Sequence, residues 1–244
     1  MVVPPGAKKK GSLGYHGAMD IADLARRLAL SLVPMLLSLT VHELAHAFVA
    51  YRLGDDTAKR EGRLTLNPLA HADPFGTFII PALSVLMGGV AFLGWAKPVP
   101  VRPARFHPKV PRRLGMAAVA AAGPLSNLLI ALACGAALAA LTRAGVPLEQ
   151  VTDSGKVRPN ALGLLLQATL TLNVGLCVFN FLPIPPLDGH RLLPPVLDRV
   201  VKPLERYGFA VLMGIFMFLP GVANVIFYRP VGFLTEVVRG VFGV

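Results

Sequence analysis

Apolar residues gather into five long runs, at about 24–53, 75–95, 114–142, 161–184 and 205–228, with polar or Pro-rich connectors between them. Each run is near the roughly 20 residues that a helix needs to cross a bilayer, so the pattern predicts an all-α polytopic membrane protein. The second run stands apart. FGTFIIPALSVLMGGVAFLGW holds Gly76, Pro81, Gly88, Gly89 and Gly94, and it leads into AKPVPV, which alternates like an exposed strand. GRLTLNP at 62–68 reads as another short strand ending in a turn. Irregular backbone is tolerated at membrane depth where protein covers it. The expectation is therefore about four transmembrane helices, plus a re-entrant helix and a short β-hairpin between the first and second crossings.

Composition agrees with this and narrows the function. Of 244 residues, 54% are hydrophobic and 15% charged, and the mean hydropathy of +0.61 lies outside the soluble globular range. A net charge of +11 can signal nucleic acid, but the Lys and Arg residues fall between apolar runs with no aromatic-interleaved basic patch. Lipid headgroups are the expected partner, and nucleic acid is not. Cys134 and Cys177 lie inside apolar runs, which argues for packing rather than a disulfide or a thiolate zinc site. Lys8–Lys10 followed by an apolar run resembles a signal peptide, yet no small-x-small cleavage site follows. Residues 1–20 are expected to be a mobile tail, and residues 21–244 a single intramembrane domain without internal repeats.

The chemistry begins inside the first run, in TVHELAHAFVA at 40–50. Ionisable groups at such depth are costly, and their default reading is functional. His42 and His46 are four residues apart, so on a helix both imidazoles share a face and can reach one metal ion. Glu43, beside them, is the residue that in H-E-x-x-H sites takes a proton from water activated by the metal. The competing reading is a packing cluster satisfied by hydrogen bonds between helices. A catalytic zinc takes three protein ligands and leaves a position open. Asp188 is the candidate third ligand, in NFLPIPPLDGHRLL, where Pro183, Pro185 and Pro186 forbid a continuous helix and free the backbone to turn a carboxylate inward. An exposed turn Asp before Gly189 is the alternative.

HELAH at 42–46, AGPLSN at 122–127 and NFLPIPPLDG at 180–189, in that order, resemble the site-2 proteases, peptidase family M50. GRLTLNP, DPFGT at 73–77 and GWAKPVPV at 94–101 extend the likeness over most of residues 35–195, and the pattern is that of the short prokaryotic branch without PDZ or CBS modules. The resemblance implies His42, His46 and Asp188 as zinc ligands, with one Zn2+ per chain, and Glu43 as catalytic base. It also implies that Asn127 and Asn180 hold the substrate backbone or the transition state. GPLSN has a second reading as a small-residue packing surface. One departure is LDGH where the family commonly has LDGG, which makes His190 a rival to Asp188 for the metal. His71 and Asp73 fit a structural role at the start of the re-entrant segment.

For the three motifs to meet at one ion, the first run must end on the face from which the third departs and at which the fourth arrives. The 75–95 run then cannot cross fully, since a full crossing would leave Asp188 on the wrong side of a roughly 30 Å core. Lys and Arg counts do not separate the two topologies. The function expected is a zinc-dependent intramembrane endopeptidase of a prokaryotic plasma membrane. Its site would face the cytoplasm, and it would cleave transmembrane segments of other membrane proteins. Residues 62–68 and 97–101 would pair with the unwound substrate as sheet edges. The alternatives are a metal transporter, or a catalytically silent zinc-binding scaffold.

Overall fold

The computed structural model describes residues 21–87, 94–151 and 155–244. The expected tail, 1–20, and Gly88 and Gly89 of the second run lie outside the described residues. Among the described residues, three helices are long and apolar enough to cross a membrane: α1 (Ile21–Arg52), α3 (Arg112–Arg143) and α4 (Ala161–Phe181). At about 1.5 Å per residue, even the 21-residue α4 reaches about 31 Å. α2 (Pro74–Leu86) lies between the first two.

The three long helices form one bundle. α1 and α3 are antiparallel, with His46 against Val119, His42 against Asn127 and Ser38 beside Asn127. Gly115, Ala120, Gly123 and Gly135 of α3 are buried, as expected where helices approach closely through small residues. Ala131, Cys134 and Leu138 of α3 pack on Leu170 and Val174 of α4. Cys134 and Cys177 are buried, free thiols. Toward the C-terminal end of α1, Ala50 packs on Val119 and Phe106.

The described chain between α1 and α3 leaves from and returns to the same end of the bundle. His107 N–H donates to Leu53 O at 2.8 Å, so the start of α3 lies beside the end of α1. Asp73 caps α2, accepting from Phe75 and Gly76 N–H. Trp95 then returns to the start of this helix, its N–H donating to Gly76 O at 3.1 Å and its carbonyl accepting from Thr77 Oγ1 at 2.9 Å. α2 is about 20 Å long by residue count, well short of a bilayer core.

Two expectations need correction. The antiparallel hairpin is formed by β1 (Glu149–Val151) and β2 (Val157–Pro159), with Gln150 opposite Arg158, and it joins α3 to α4. Among the described residues, none between α1 and α3 joins a sheet. Residues 62–68 instead make turns, with Asn67 capping a helical turn at Pro68–His71. Among the described residues, 97–101 joins no sheet. Pro98 and Pro100 have no N–H for a ladder, and the amides of Lys97 and Val99 are engaged by His71 O and Glu43. The fifth run is also broken. α5 (Asp198–Glu205) precedes α6 (Gly208–Phe218), and α7 (Pro220–Phe242) leaves α6 at 99°, where Pro220 interrupts the helix. Among the described residues, three helices have the length and composition to cross a membrane, or four if this bent pair counts as one.

Candidate metal centre

The α1–α3–α4 packing brings His42, His46 and Asp188 together, with one ligand atom from each within 4.8 Å of the others. His42 Nε2 and His46 Nε2 are 3.0 Å apart, and Asp188 Oδ2 is 3.2 Å from each. Both histidines are buried and Asp188 is partly open. The helical i, i+4 spacing accounts for the pair of imidazoles. Asp188 arrives from beyond the end of α4, where the Pro-rich chain doubles back into a short 3-10 turn, Asp188–Leu192. Gly189 is pressed there against the Phe181 and Leu182 carbonyls, leaving no room for a Cβ.

The surrounding hydrogen bonds show which ring nitrogen carries a proton in both histidines. Val119 O can only accept, so His46 Nδ1, 2.7 Å away, carries a proton. For His42 the assignment runs through three residues. Thr169 O can only accept, so it orients Asn173 with Nδ2 toward it and Oδ1 toward Asn127. Asn127 Nδ2 donates to that Oδ1 at 2.8 Å, which leaves Asn127 Oδ1 facing His42 Nδ1 at 2.7 Å. His42 Nδ1 is therefore the protonated nitrogen too. In neutral imidazoles the Nε2 lone pairs then point at each other and at a carboxylate oxygen. Three acceptors converging with no donor among them are satisfied by a cation, and two His with one carboxylate form a catalytic zinc set. The residues present fit zinc.

Gly123 makes this approach possible, since a Cβ there would overlap His46 Nε2 and lie 2.6 Å from His42 Cε1. Ser126 Oγ donates to Gly123 O, satisfying a carbonyl in the turn around Pro124. The AGPLSN sequence is thus the wall behind the two histidines. Asn127 is fully buried behind His42, with its Oδ1 2.7 Å from the ring's Nδ1. Asn180 donates to Leu176 O at 3.1 Å and is not joined to the cluster by a hydrogen bond among the described residues. Glu43 lies outside the ligand trio, with Oε2 accepting the Val99 N–H at 2.9 Å. His190 turns elsewhere. Its Nδ1 bonds Leu187 O at 2.5 Å, and it lines a cavity of about 650 Å³ with Arg112, Arg191 and Lys202.

The profile of peptidase family M50 matches residues 30–154, half of the chain. The chain belongs to peptidase family M50. The M50 match ends before Asp188, but similarity to relatives runs further. A Bacillus subtilis protein named "Putative zinc metalloprotease YwhC" is 42% identical over 197 residues, covering 77% of this chain and 82% of the relative. "Putative zinc metalloprotease Rip2" of Mycolicibacterium smegmatis is 34% identical over 210 residues, covering 83% and 73%. Its namesake in Mycobacterium tuberculosis strain H37Rv is 32% identical over 213 residues, covering 85% and 74%. No solved structure shows significant similarity to the chain.

Sequence reasoning missed Asn173 and Ser38, which are hydrogen-bonded to each other at 2.8 Å and complete the support behind Asn127. The available signal was a lone Asn in the apolar stretch TLTLNVGL, where an unpaired amide would be costly. It also missed the Val99 contact to Glu43, for which spacing gives no signal.

Proposed function

We propose that this M50 chain is a zinc-dependent intramembrane endopeptidase acting on transmembrane segments of other proteins. The observation that carries the reading is the convergence of two imidazole lone pairs and one carboxylate oxygen inside a bundle of membrane-length helices. His42, His46 and Asp188 hold one zinc, which when bound supplies Lewis acidity that acidifies water and polarises a carbonyl. Glu43 Oε2 is tied to Val99, so its other oxygen takes the proton from the attacking water and returns it to the leaving amine. Asn127 holds the His42 ring with its Nε2 toward the ion, and Asn180 is left as the candidate contact to substrate.

A helical substrate hides its peptide bonds in internal hydrogen bonds, so the segment to be cut must unwind first. The return of Trp95 to Gly76, and the 13 residues of α2, support a re-entrant segment at the site's end of the bundle. Arg52, Lys59, Arg60, Lys109 and Arg112 cluster at that same end, which supports a cytoplasmic orientation in a prokaryotic plasma membrane. Comparing membrane proteomes of cells carrying wild type and Glu43→Gln tests the function. Single-span fragments or their uncut precursors should accumulate in the variant, and identical proteomes would count against proteolysis.

A further inference from the structure

Between Trp95 and Arg102 the chain reads WAKPVPVR. Pro98 and Pro100 have no N–H, so across residues 98–100 the backbone offers a single donor, that of Val99. This donor is directed at Glu43 Oε2, 2.9 Å away. The other face of the same peptide unit is held as well. The Pro98 carbonyl accepts from Arg63 Nη2 at 3.3 Å, and the Lys97 carbonyl accepts from the same nitrogen at 3.4 Å. Arg63 Nη1 donates to Ala70 O.

Arg63 is only 5% exposed and makes no ion pair among the described residues. A buried guanidinium without a carboxylate is expensive unless carbonyls replace its water, and here all its acceptors are backbone carbonyls. Two of them lie on the residues just before Val99. The Pro98–Val99 peptide is trans and planar, so its C=O and N–H point in opposite directions and turn together. A cation on the oxygen thereby sets the direction of the N–H. It also polarises the unit and strengthens the bond at the far side.

We propose that Arg63 is a positioning residue for Glu43: by holding the Pro98–Val99 peptide plane it aims the one free N–H of this strap at the carboxylate. One Glu43 oxygen is then fixed, and the other is presented to the reacting water. The inference rests on the reading of Glu43 as the base. Neighbouring bonds keep the strap from drifting, with Lys97 N–H on His71 O at 2.8 Å and Arg102 N–H on the buried Asp55 Oδ2 at 2.5 Å.

The test uses the full chain, zinc-loaded in detergent, with fluorescein-labelled casein as an unfolded probe that needs no helix unwinding. Arg63→Met and Val99→Pro each remove one end of the relay, and each should lower kcat by about tenfold to a hundredfold, the range for losing a hydrogen bond to a charged group. KM should stay within about twofold, and zinc content should equal that of wild type. Because both act through one N–H, Arg63→Met should cost little further in the Val99→Pro background, whereas independent structural damage would multiply. Arg63→Lys should recover part of the loss, since an ammonium still reaches one carbonyl. Val99→Pro leaves the buried cation in place, so it decides the matter even if Arg63→Met does not fold. Wild-type kcat in Val99→Pro, or fully multiplicative losses, would overturn the proposal while Glu43→Gln remained inactive. Normal cleavage by Glu43→Gln would instead overturn the reading of the site, and this inference with it.

Discussion

Gly123→Ala adds one methyl group to the wall behind the two histidines. The new Cβ would overlap His46 Nε2 and lie 2.5 Å from His46 Cε1 and 2.6 Å from His42 Cε1. Carbon atoms rest at about 3.5–4.0 Å, so one or both rings must move by about 1 Å. They have little freedom to do so, because Val119 O and Asn127 Oδ1 hold their Nδ1 atoms at 2.7 Å. Metal–ligand distances tolerate about 0.2 Å, so the displacement is several times the allowance. Zinc affinity should fall by at least ~100-fold, about 3 kcal/mol. Local propensity acts the other way, since Ala is about 1 kcal/mol better than Gly within a helix. Helix content should therefore persist while metal is lost. The assay is zinc content of purified protein after dialysis against a chelator, with circular dichroism to confirm folding. A folded Gly123→Ala protein that retains zinc like wild type would refute the geometry.

Other expectations are as direct. Asp188→Asn should lose zinc and activity, whereas His190→Gly, which creates LDGG, should stay within a few-fold of wild type; the reverse ranking would make His190 the ligand. Asn127→Leu leaves His42 Nδ1 buried without an acceptor and should weaken zinc binding by about 10–100-fold, as losses behind a metal ligand do, measured by competition with a chelator. Equal affinity would mean the ring is held otherwise. Cysteines at Lys59 and Lys109, placed after Cys134 and Cys177 are replaced, should react with an impermeant thiol reagent from the same side of the membrane. Labelling from opposite sides would mean that 75–95 crosses fully.

How far the sequence could be read depended on whether the signal was local. The long helices and the facing of His42 and His46 follow from runs of apolar residues and a spacing of four. Asp188 needed the extra argument that prolines at 183, 185 and 186 free the chain to turn back, and the structure brings it within 3.2 Å of both rings. The hairpin was misplaced because alternation in AKPVPV imitates a strand while its prolines deny the ladder its donors. The true strands, EQV and VRP, are three residues each and largely exposed, too short for periodicity to register. The fifth run looked continuous in hydropathy, but Pro220 turns the chain by 99°. The motif implies a role for Asn127 toward the substrate backbone or the transition state but does not announce its partners His42 and Asn173, which lie 85 and 46 residues away in sequence. No local pattern encodes such contacts.

The central claim is that His42, His46 and Asp188 hold the metal while Glu43 handles the proton. Glu43→Gln separates these roles, because it keeps the side-chain volume and the ligand set but removes the basic carboxylate. Wild type and Glu43→Gln should be purified, assayed for zinc, and reconstituted in proteoliposomes with a single-span substrate. The account predicts about one zinc per chain in both proteins, with cleavage by wild type alone. Cleavage by zinc-loaded Glu43→Gln at the wild-type rate, or loss of zinc from that variant, would contradict it.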